Sequence, residues 1–153
     1  MECIVKKIKI INGPNLDRLG KRDVEKYGSF TLEQLEEELI EEFSDDCQLS
    51  FFQSQLEGEI IQELYKEDGT QAIIINAGGY THTSVAIRDA LETLKTPVIE
   101  VHISNISSRE SFRHTSLISP VVDGVIFGFK KESYFLAVIA AIRLISKNSL
   151  NER

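Results

Sequence analysis

Short apolar runs alternate along this chain with longer stretches in which apolar residues recur every three or four positions. The short runs predict β-strands, at residues 6–12, 48–53, 72–76, 98–102 and 124–127. The longer stretches predict amphipathic helices, at residues 32–43, 57–67, 84–94 and 134–147. Strands that alternate with helices in this way are typical of a parallel sheet with helices on both faces.

Five strands with this spacing favour an α/β fold of flavodoxin-like type, a three-layer sandwich with a five-stranded parallel sheet in the order 2-1-3-4-5. The length of 153 residues suits a single domain, which we expect to occupy residues 1–153. Thr31 and Gln34 form a possible capping box for the first helix. The apolar positions after them predict its buried stripe: Leu32, Leu35, Leu39, Ile40 and Phe43.

Three of the predicted strands run directly into polar clusters. Residues 12–15 follow the first strand, residues 76–84 follow the third, and residues 102–105 follow the fourth. In a parallel sheet these carboxyl ends emerge at one edge, where α/β proteins bind their ligands. The pattern therefore predicts an active site at this edge.

The first two clusters also have simpler interpretations. Residues 12–15 have the composition of a tight turn, although Asn15 could instead hold a water molecule or an oxyanion through its amide. In the second cluster, Thr83 or Ser84 could simply cap the next helix. Capping does not explain why His82 and Asn76 lie there as well, and a helix amino terminus favours polar or anionic ligands.

The third cluster combines an acidic, an imidazole and two guanidinium groups. Glu100 and His102 lie two positions apart on a strand and therefore share one face. A carboxylate there can fix the imidazole tautomer and favour its protonated form, which suits a general acid, although a strand-end histidine with a purely structural role is the alternative. Arg109 and Arg113, four positions apart, could bind hydroxyl or carboxylate groups or form ordinary surface ion pairs.

The segment between the first strand and the first helix, residues 13–28, is unusually long for a connection in a compact domain. Loops of this length are often lids or binding loops. Tyr27 is mostly protonated at neutral pH when free in water, but a guanidinium such as that of Arg22 could stabilise its phenolate. Taken alone, an exposed loop tyrosine is the simpler interpretation.

Composition narrows the classes of function. A net charge of −7 argues against a nucleic-acid-binding surface. The lysine-rich residues 1–10 lack the apolar stretch of a signal peptide, and the apolar run at residues 134–142 is too short to span a bilayer. Cys3 and Cys47 match no zinc or redox spacing. We therefore expect a cytoplasmic protein that binds neither nucleic acid nor membrane.

Other kinds of site find little support in the sequence. The three histidines of the sequence do not have the spacing of metal ligands, so we expect no metal site. The sequence also lacks the Gly-x-Ser-x-Gly elbow that presents a serine nucleophile. A flavodoxin-like binding or signalling module is the alternative of a different class. A receiver domain should carry an aspartate where Asn76 stands, and a flavin carrier should have a Ser/Thr-rich loop where Pro14 stands.

Taken together, the chain resembles the type II 3-dehydroquinate dehydratases of the shikimate pathway, from about Ile8 to Ile145. The resemblance rests on eight short motifs in order. They are Asn12-Gly13-Pro14-Asn15-Leu16, Tyr27-Gly28-Ser29, Phe51-Phe52-Gln53-Ser54, Glu57-Gly58, Tyr80-Thr81-His82-Thr83-Ser84, Arg88-Asp89-Ala90, Glu100-Val101-His102 and Arg109-Glu110-Ser111-Phe112-Arg113-His114.

The resemblance implies a cofactor-free anti elimination of water from 3-dehydroquinate through an enolate. Tyr27 would abstract the proton as a phenolate stabilised by Arg22. Asn15 would hold a water molecule that stabilises the enolate. His102, oriented by Glu100, would protonate the departing hydroxyl. The type I enzymes use a Schiff-base lysine on another fold, and nothing in this sequence calls for one.

The resemblance also implies the groups that bind the substrate. Asn76, His82 and Arg113 would bind the ring hydroxyls, and backbone amides near Ile103 and Ser104 would bind the carboxylate. Further contributions would come from Arg109, beside the base, and from Asp89 of a neighbouring subunit. The implied assembly is a homododecamer built from trimers.

Two departures from the family pattern lie close to these residues. The family commonly has Asn-Leu where this chain has Asp17-Arg18, which changes the charge at the base of the predicted lid. It also has Pro and Ala at the positions of Ala77 and Gly79, which predicts a looser turn behind Asn76. Because neither change touches a residue with an implied chemical role, activity is expected.

Overall fold

Five parallel strands form one sheet in the computed structural model, which describes residues 4–152. They pair in the order β2-β1-β3-β4-β5, as predicted. Their bounds are β1 (Lys6–Asn12), β2 (Cys47–Gln53), β3 (Ala72–Asn76), β4 (Val98–His102) and β5 (Gly124–Phe127). Cys47 is free and buried, whereas Cys3 and the start of the segment used in the signal-peptide argument lie outside the described residues.

The helices are α1 (Val24–Tyr27), α2 (Leu32–Phe43), α3 (Glu57–Leu64), α4 (Val85–Glu92) and α5 (Glu132–Asn151). The four longer helices were predicted, and α2 has the predicted bounds, whereas the ends of the other three differ. Helix α3 stops three residues early, ahead of Gly69 with its φ of +81°. Helix α5 extends beyond both predicted ends, because its sequence continues without Gly or Pro.

Helix α2 shows how sequence and packing agree locally. Its capping box forms, with Thr31 Oγ1 accepting from the Gln34 backbone and the Gln34 side chain accepting from the Thr31 backbone. Four of the five predicted stripe residues are buried, but Ile40 is 50% exposed. Ile40 follows Leu39 directly, and successive residues of a helix are rotated by about 100°, so the Ile40 side chain points away from the core face.

The sheet is packed on both faces. One cluster of buried residues includes Ile10 and Ile74 of the sheet with Leu39 of α2 and Ala137 of α5. The other joins Ile75 and further sheet residues to the apolar faces of α3 and α4. Because both faces are covered, β3 and β4 are completely buried.

Helix α5 is long and apolar enough to cross a membrane by length and composition, although the continuous apolar run within it is shorter than 20 residues. Its buried side chains, which include Tyr134, Ala137 and Ala141, belong to the core cluster against the sheet. This packing is typical of the core helix of a globular domain.

The ends of β1 and β3 fit closely against each other. The Gly13 backbone N–H donates to the Asn76 carbonyl at 2.7 Å. A Cβ atom on Gly13 would lie 2.6 Å from the Ala77 carbonyl oxygen, and one on Gly78 would lie 2.9 Å from that of Pro14. Both glycines are therefore required for the two polar clusters to meet, so residues 12–15 are more than a simple turn.

Candidate active site

The polar strand ends and the long loop enclose a small cleft of about 110 Å³ at the carboxyl edge of β1, β3 and β4. A larger groove of about 690 Å³ lies between β5 and α5, but most of its lining is apolar. We place the site in the smaller cleft because ten of the twelve predicted site residues line it: Asn15, Arg22, Tyr27, Asn76, His82, His102, Ile103, Ser104, Arg109 and Arg113.

Tyr27 is buried in this cleft, with only 8% of its surface exposed. The simpler interpretation of an exposed loop tyrosine is therefore wrong. Arg22 Nη2 donates to the Tyr27 hydroxyl at 3.1 Å, and its guanidinium carbon lies 4.3 Å from the ring centre. The guanidinium of Arg109 lies 5.2 Å from the same centre. Two guanidinium groups therefore lie beside the Tyr27 ring.

A short helix within the long loop places Tyr27. The Asp23 side chain caps α1 by accepting from the Glu25 backbone at 3.1 Å, and Gly28 ends the helix with a φ of +90°. Lys130 Nζ donates to the Glu25 carbonyl and so links α1 to the turn that follows β5. We call residues 16–28 the lid, because they carry Arg22 and Tyr27 over the strand ends.

Glu100 and His102 form a buried pair at the end of β4. Nε2 of His102 lies 2.7 Å from Glu100 Oε2, and Glu100 is completely buried. Burial alone raises the pKa of the Glu100 carboxyl, but hydrogen bonds from His102, Ser119 and Ser116 outweigh it and hold this pKa below its usual value. The carboxylate therefore stays ionised and orients the imidazole.

His82 faces His102 across the cleft, with the ring centres 6.5 Å apart and the planes inclined by 19°. Nδ1 of His82 lies 2.8 Å from the Thr115 carbonyl oxygen. Since a carbonyl can only accept, Nδ1 carries a proton, and in the neutral imidazole Nε2 is left as an acceptor. His82 can therefore accept a hydrogen bond from a ligand hydroxyl.

Asn76 is fixed by a buried chain of hydrogen bonds. Its Oδ1 accepts from the Gly78 backbone at 3.1 Å, and its Nδ2 donates to the Tyr134 hydroxyl at 2.9 Å. The Tyr134 hydroxyl in turn donates to Asn12 Oδ1 at 2.5 Å. Burial raises the pKa of the Tyr134 hydroxyl, so it remains protonated and serves as this donor. The second N–H of Asn76 is left for a ligand.

The two arginines after β4 differ in their contacts. Arg113 Nε donates to Glu110 at 2.6 Å, so the surface ion-pair interpretation holds for part of this side chain, which nevertheless lines the cleft. Arg109 Nη1 donates to Ser104 Oγ at 3.1 Å. Arg109 Nε is buried and, among residues 4–152, has no hydrogen-bond partner.

Asn15 takes a left-handed conformation with φ of 70°, and its backbone N–H donates to Gln55 Oε1 at 2.7 Å. Nε2 of Gln55 donates to Asp17 at 2.9 Å, so the departure at position 17 supports the turn that presents Asn15. At the second departure, a Cβ on Gly79 would meet open space.

Asp89 is exposed on α4 and is not brought to this cleft, so its predicted role toward a neighbouring subunit stays a prediction. Sequence reasoning missed three residues that hold the site together, Ser116, Ser119 and Tyr134, and gave no role to Asn12 although it placed it in a polar cluster. Their roles depend on contacts between distant segments, which spacing alone does not show. Within residues 4–152, no group of three or more metal-ligating side chains converges.

Comparisons with known proteins agree with this geometry. A 3-dehydroquinate dehydratase of Campylobacter jejuni is 49% identical over 140 residues, which cover 90% of this chain and 88% of that protein. One from an Exiguobacterium strain is 47% identical over 136 residues, 89% of this chain and 94% of that protein. The crystal structure of a type II dehydroquinase from Butyrivibrio crossotus superposes with a TM-score of 0.87 at 42% identity, covering 90% of this chain and 97% of that one. A family model described as Dehydroquinase class II matches residues 6–142, and the chain therefore belongs to the class II dehydroquinase family.

Proposed function

We propose that this chain is a type II 3-dehydroquinate dehydratase, a hydro-lyase that converts 3-dehydroquinate to 3-dehydroshikimate. The observation that carries the proposal is the presence of two catalytic pairs in one cleft: Tyr27 beside Arg22, and His102 beside Glu100. Family membership supports the same reaction. It belongs to the shikimate pathway, which leads to chorismate and the aromatic amino acids.

The first step removes a proton from the carbon next to the substrate ketone. The Tyr27 phenolate takes this proton, and the electron pair of the broken C–H bond forms an enolate. Arg22 and Arg109 stabilise the phenolate before the step. Asn15, exposed at the cleft and turned toward it by its left-handed backbone, holds a water molecule that donates to the enolate oxygen.

The second step breaks the C–O bond on the opposite side of the ring. As the enolate collapses, His102 gives its proton to the departing hydroxyl, which leaves as water. Glu100 keeps the imidazole oriented and stabilises its protonated form. The proton on Tyr27 then returns through solvent to His102, so the enzyme ends each turnover in its starting state.

Other groups around the cleft bind the substrate. The ring hydroxyls bind to Asn76, His82 and Arg113, and the backbone amides of Ile103 and Ser104 bind the carboxylate. The free N–H of Asn76 and the acceptor nitrogen of His82 match hydroxyl groups, which both accept and donate. The lid closes over the ring, excludes water and delivers Tyr27.

We also propose the assembly, the compartment and the domain organisation of the enzyme. The enzyme is a homododecamer built from trimers, in which Asp89 of one subunit reaches the site of the next. It acts in the cytoplasm, and residues 1–153 form a single catalytic domain. The exposed position of Asp89 on α4 is compatible with such a contact.

The mechanism is tested by adding borohydride together with 3-dehydroquinate. Among the described residues no lysine lines the cleft, and the buried Lys9 is held by Glu63 at 3.1 Å and Asp68 at 2.5 Å. We therefore expect no covalent adduct by mass spectrometry and no loss of activity, and chelator should leave the rate unchanged. A borohydride-trapped lysine adduct would contradict the proposal.

A further inference from the structure

We propose that Ser116 and Ser119 are positioning residues for the acid His102, acting through Glu100. Neither serine lines the cleft, so they act on the reaction only through the residues they hold. This inference rests on the proposed function, because it assigns their purpose to the protonation step. It adds two residues to the catalytic machinery that the sequence motifs do not mark.

Both serines donate to the same oxygen of Glu100. Ser119 Oγ lies 2.7 Å and Ser116 Oγ 2.9 Å from Glu100 Oε1. The other oxygen, Oε2, accepts from His102 at 2.7 Å. One carboxylate oxygen thus accepts from the serines and the other bonds to the imidazole. These bonds fix the plane of the carboxylate and the direction of the His102 hydrogen bond.

The direction of the Ser116 hydroxyl is set by the backbone. Its oxygen accepts from the N–H of Ile118 at 3.3 Å and from that of Ser119 at 3.0 Å. A hydroxyl has two lone pairs and one proton, so these two bonds leave only the O–H to donate, and Glu100 is its acceptor. The turn therefore presents a pre-oriented donor that needs no rearrangement during catalysis.

The surroundings of Glu100 explain why neutral donors suit this position. Its neighbours across the sheet, Ile75 and Val125, are apolar. Among the described residues, the polar partners of its carboxylate are His102 and the two serines. A lysine or arginine would cancel the charge of Glu100. Two hydroxyls keep the carboxylate ionised while leaving its charge to stabilise the protonated imidazole.

The segment that carries the serines, residues 115–119, is anchored at its centre. The Leu117 N–H donates to the Thr81 carbonyl at 2.8 Å, and the Leu117 carbonyl accepts from Arg88 at 2.7 Å. The carbonyl of Thr115 holds His82. One short segment therefore orients both imidazoles of the cleft and connects them to α4.

The test uses Ser119→Ala, because this hydroxyl donates to Glu100 and accepts no backbone N–H within the described residues. We expect kcat to fall about tenfold, the cost of one hydrogen bond to a charged group, with little change in KM. Without this donor Glu100 retains its proton to higher pH, so the acidic limb of the kcat profile moves to higher pH. Ser119→Thr keeps a hydroxyl at this position, so kcat and the acidic limb of its pH profile should stay close to those of the parent protein.

A matched control removes a hydroxyl from the other end of the molecule. Among the described residues, Ser146 Oγ bonds only to the Ile142 carbonyl within α5, and Ser146→Ala should leave kcat and its pH profile unchanged. Ser116→Ala should shift the acidic limb in the same direction as Ser119→Ala. A fall in kcat without a shift of the limb, or no change at all, would overturn the positioning role.

A second measurement does not depend on turnover. With histidines labelled for NMR, the chain has only three imidazoles, and His114 serves as the internal reference. Ser119→Ala should change the ring-nitrogen chemical shifts of His102, which report its hydrogen bond to Glu100, and leave those of His114 in place. Unchanged His102 chemical shifts would overturn the inference even if the enzyme is active, whereas changed ones support it even if 3-dehydroquinate is not the substrate.

Discussion

Nη2 of Arg22 lies 3.1 Å from the hydroxyl oxygen of Tyr27, and both residues belong to the lid rather than to the sheet. The proposed base and the guanidinium that donates to it therefore lie on the same segment of the chain. We propose that closure of the lid brings this pair as one unit to Arg109, whose guanidinium lies 5.2 Å from the centre of the Tyr27 ring.

Replacing Tyr27 with Phe tests the base directly. The substitution keeps the buried ring and removes the oxygen, so we expect kcat to fall by at least about 100-fold, as is usual when a general base is lost. Circular dichroism and gel filtration should match the parent protein. Tyr65→Phe is the matched control, because Tyr65 is 51% exposed on the surface. Near-normal turnover by the Tyr27 variant would assign the base elsewhere.

Tyr134→Phe tests the buried network behind the cleft. Without the hydroxyl, Asn76 Nδ2 and Asn12 Oδ1 both lose a partner in a region without water access. We expect the free energy of unfolding to fall by about 1–3 kcal/mol and KM to rise, because Asn76 is no longer held in one orientation. Urea unfolding at a fixed protein concentration measures the first effect.

The control for this network is Tyr80→Phe, which removes a more exposed hydrogen bond of 2.9 Å to the Gln55 carbonyl. Its loss should cost less stability, because water can replace the missing partner. Equal stability losses in the two variants would show that the burial of the Tyr134 network does not increase its contribution to stability.

Stability at acidic pH depends on the ion pairs of the buried Lys9. Hydrogen bonds from Lys9 and Thr70 lower the pKa of Asp68 to about 2. A carboxylate with a lowered pKa contributes stability above its unfolded value near 4, and this contribution is lost as the pH falls toward 2. The urea midpoint should therefore fall between pH 5 and pH 3.

Asp68→Asn should make that decline shallower, although the variant is less stable at every pH because Lys9 loses a partner. Asp45→Asn, which changes an exposed aspartate in the α2–β2 turn, should keep the slope of the parent protein. Parallel slopes for the Asp68 variant and the parent would refute the role assigned to this pair.

The strands could be predicted closely from sequence because each is a short apolar run with a clear polar boundary. Four of the five have the predicted bounds, and β2 differs by one residue. The helix ends were less certain, because capping and tertiary contacts decide them. Ile40 was placed wrongly because an apolar residue next to the stripe does not reveal on which side of the helix it lies.

Most residues that a motif marked do lie at the cleft, as His102 does, whereas Asp89 lies away from it on the exposed face of α4. The burial of Tyr27 was not predictable, because it depends on a short helix inside a segment whose composition predicts only a loop. Ser119 was missed because its role depends on a contact between distant segments. Its partner lies 19 positions away on β4, and only the folded chain brings the two together.

The most direct test of the central claim is the conversion of 3-dehydroquinate by the purified protein. The product contains a conjugated enone that the substrate lacks, so turnover appears as a new ultraviolet absorbance. We expect this absorbance to rise with the parent protein and hardly at all with Tyr27→Phe at the same concentration. No rise with correctly assembled parent protein would contradict the central claim.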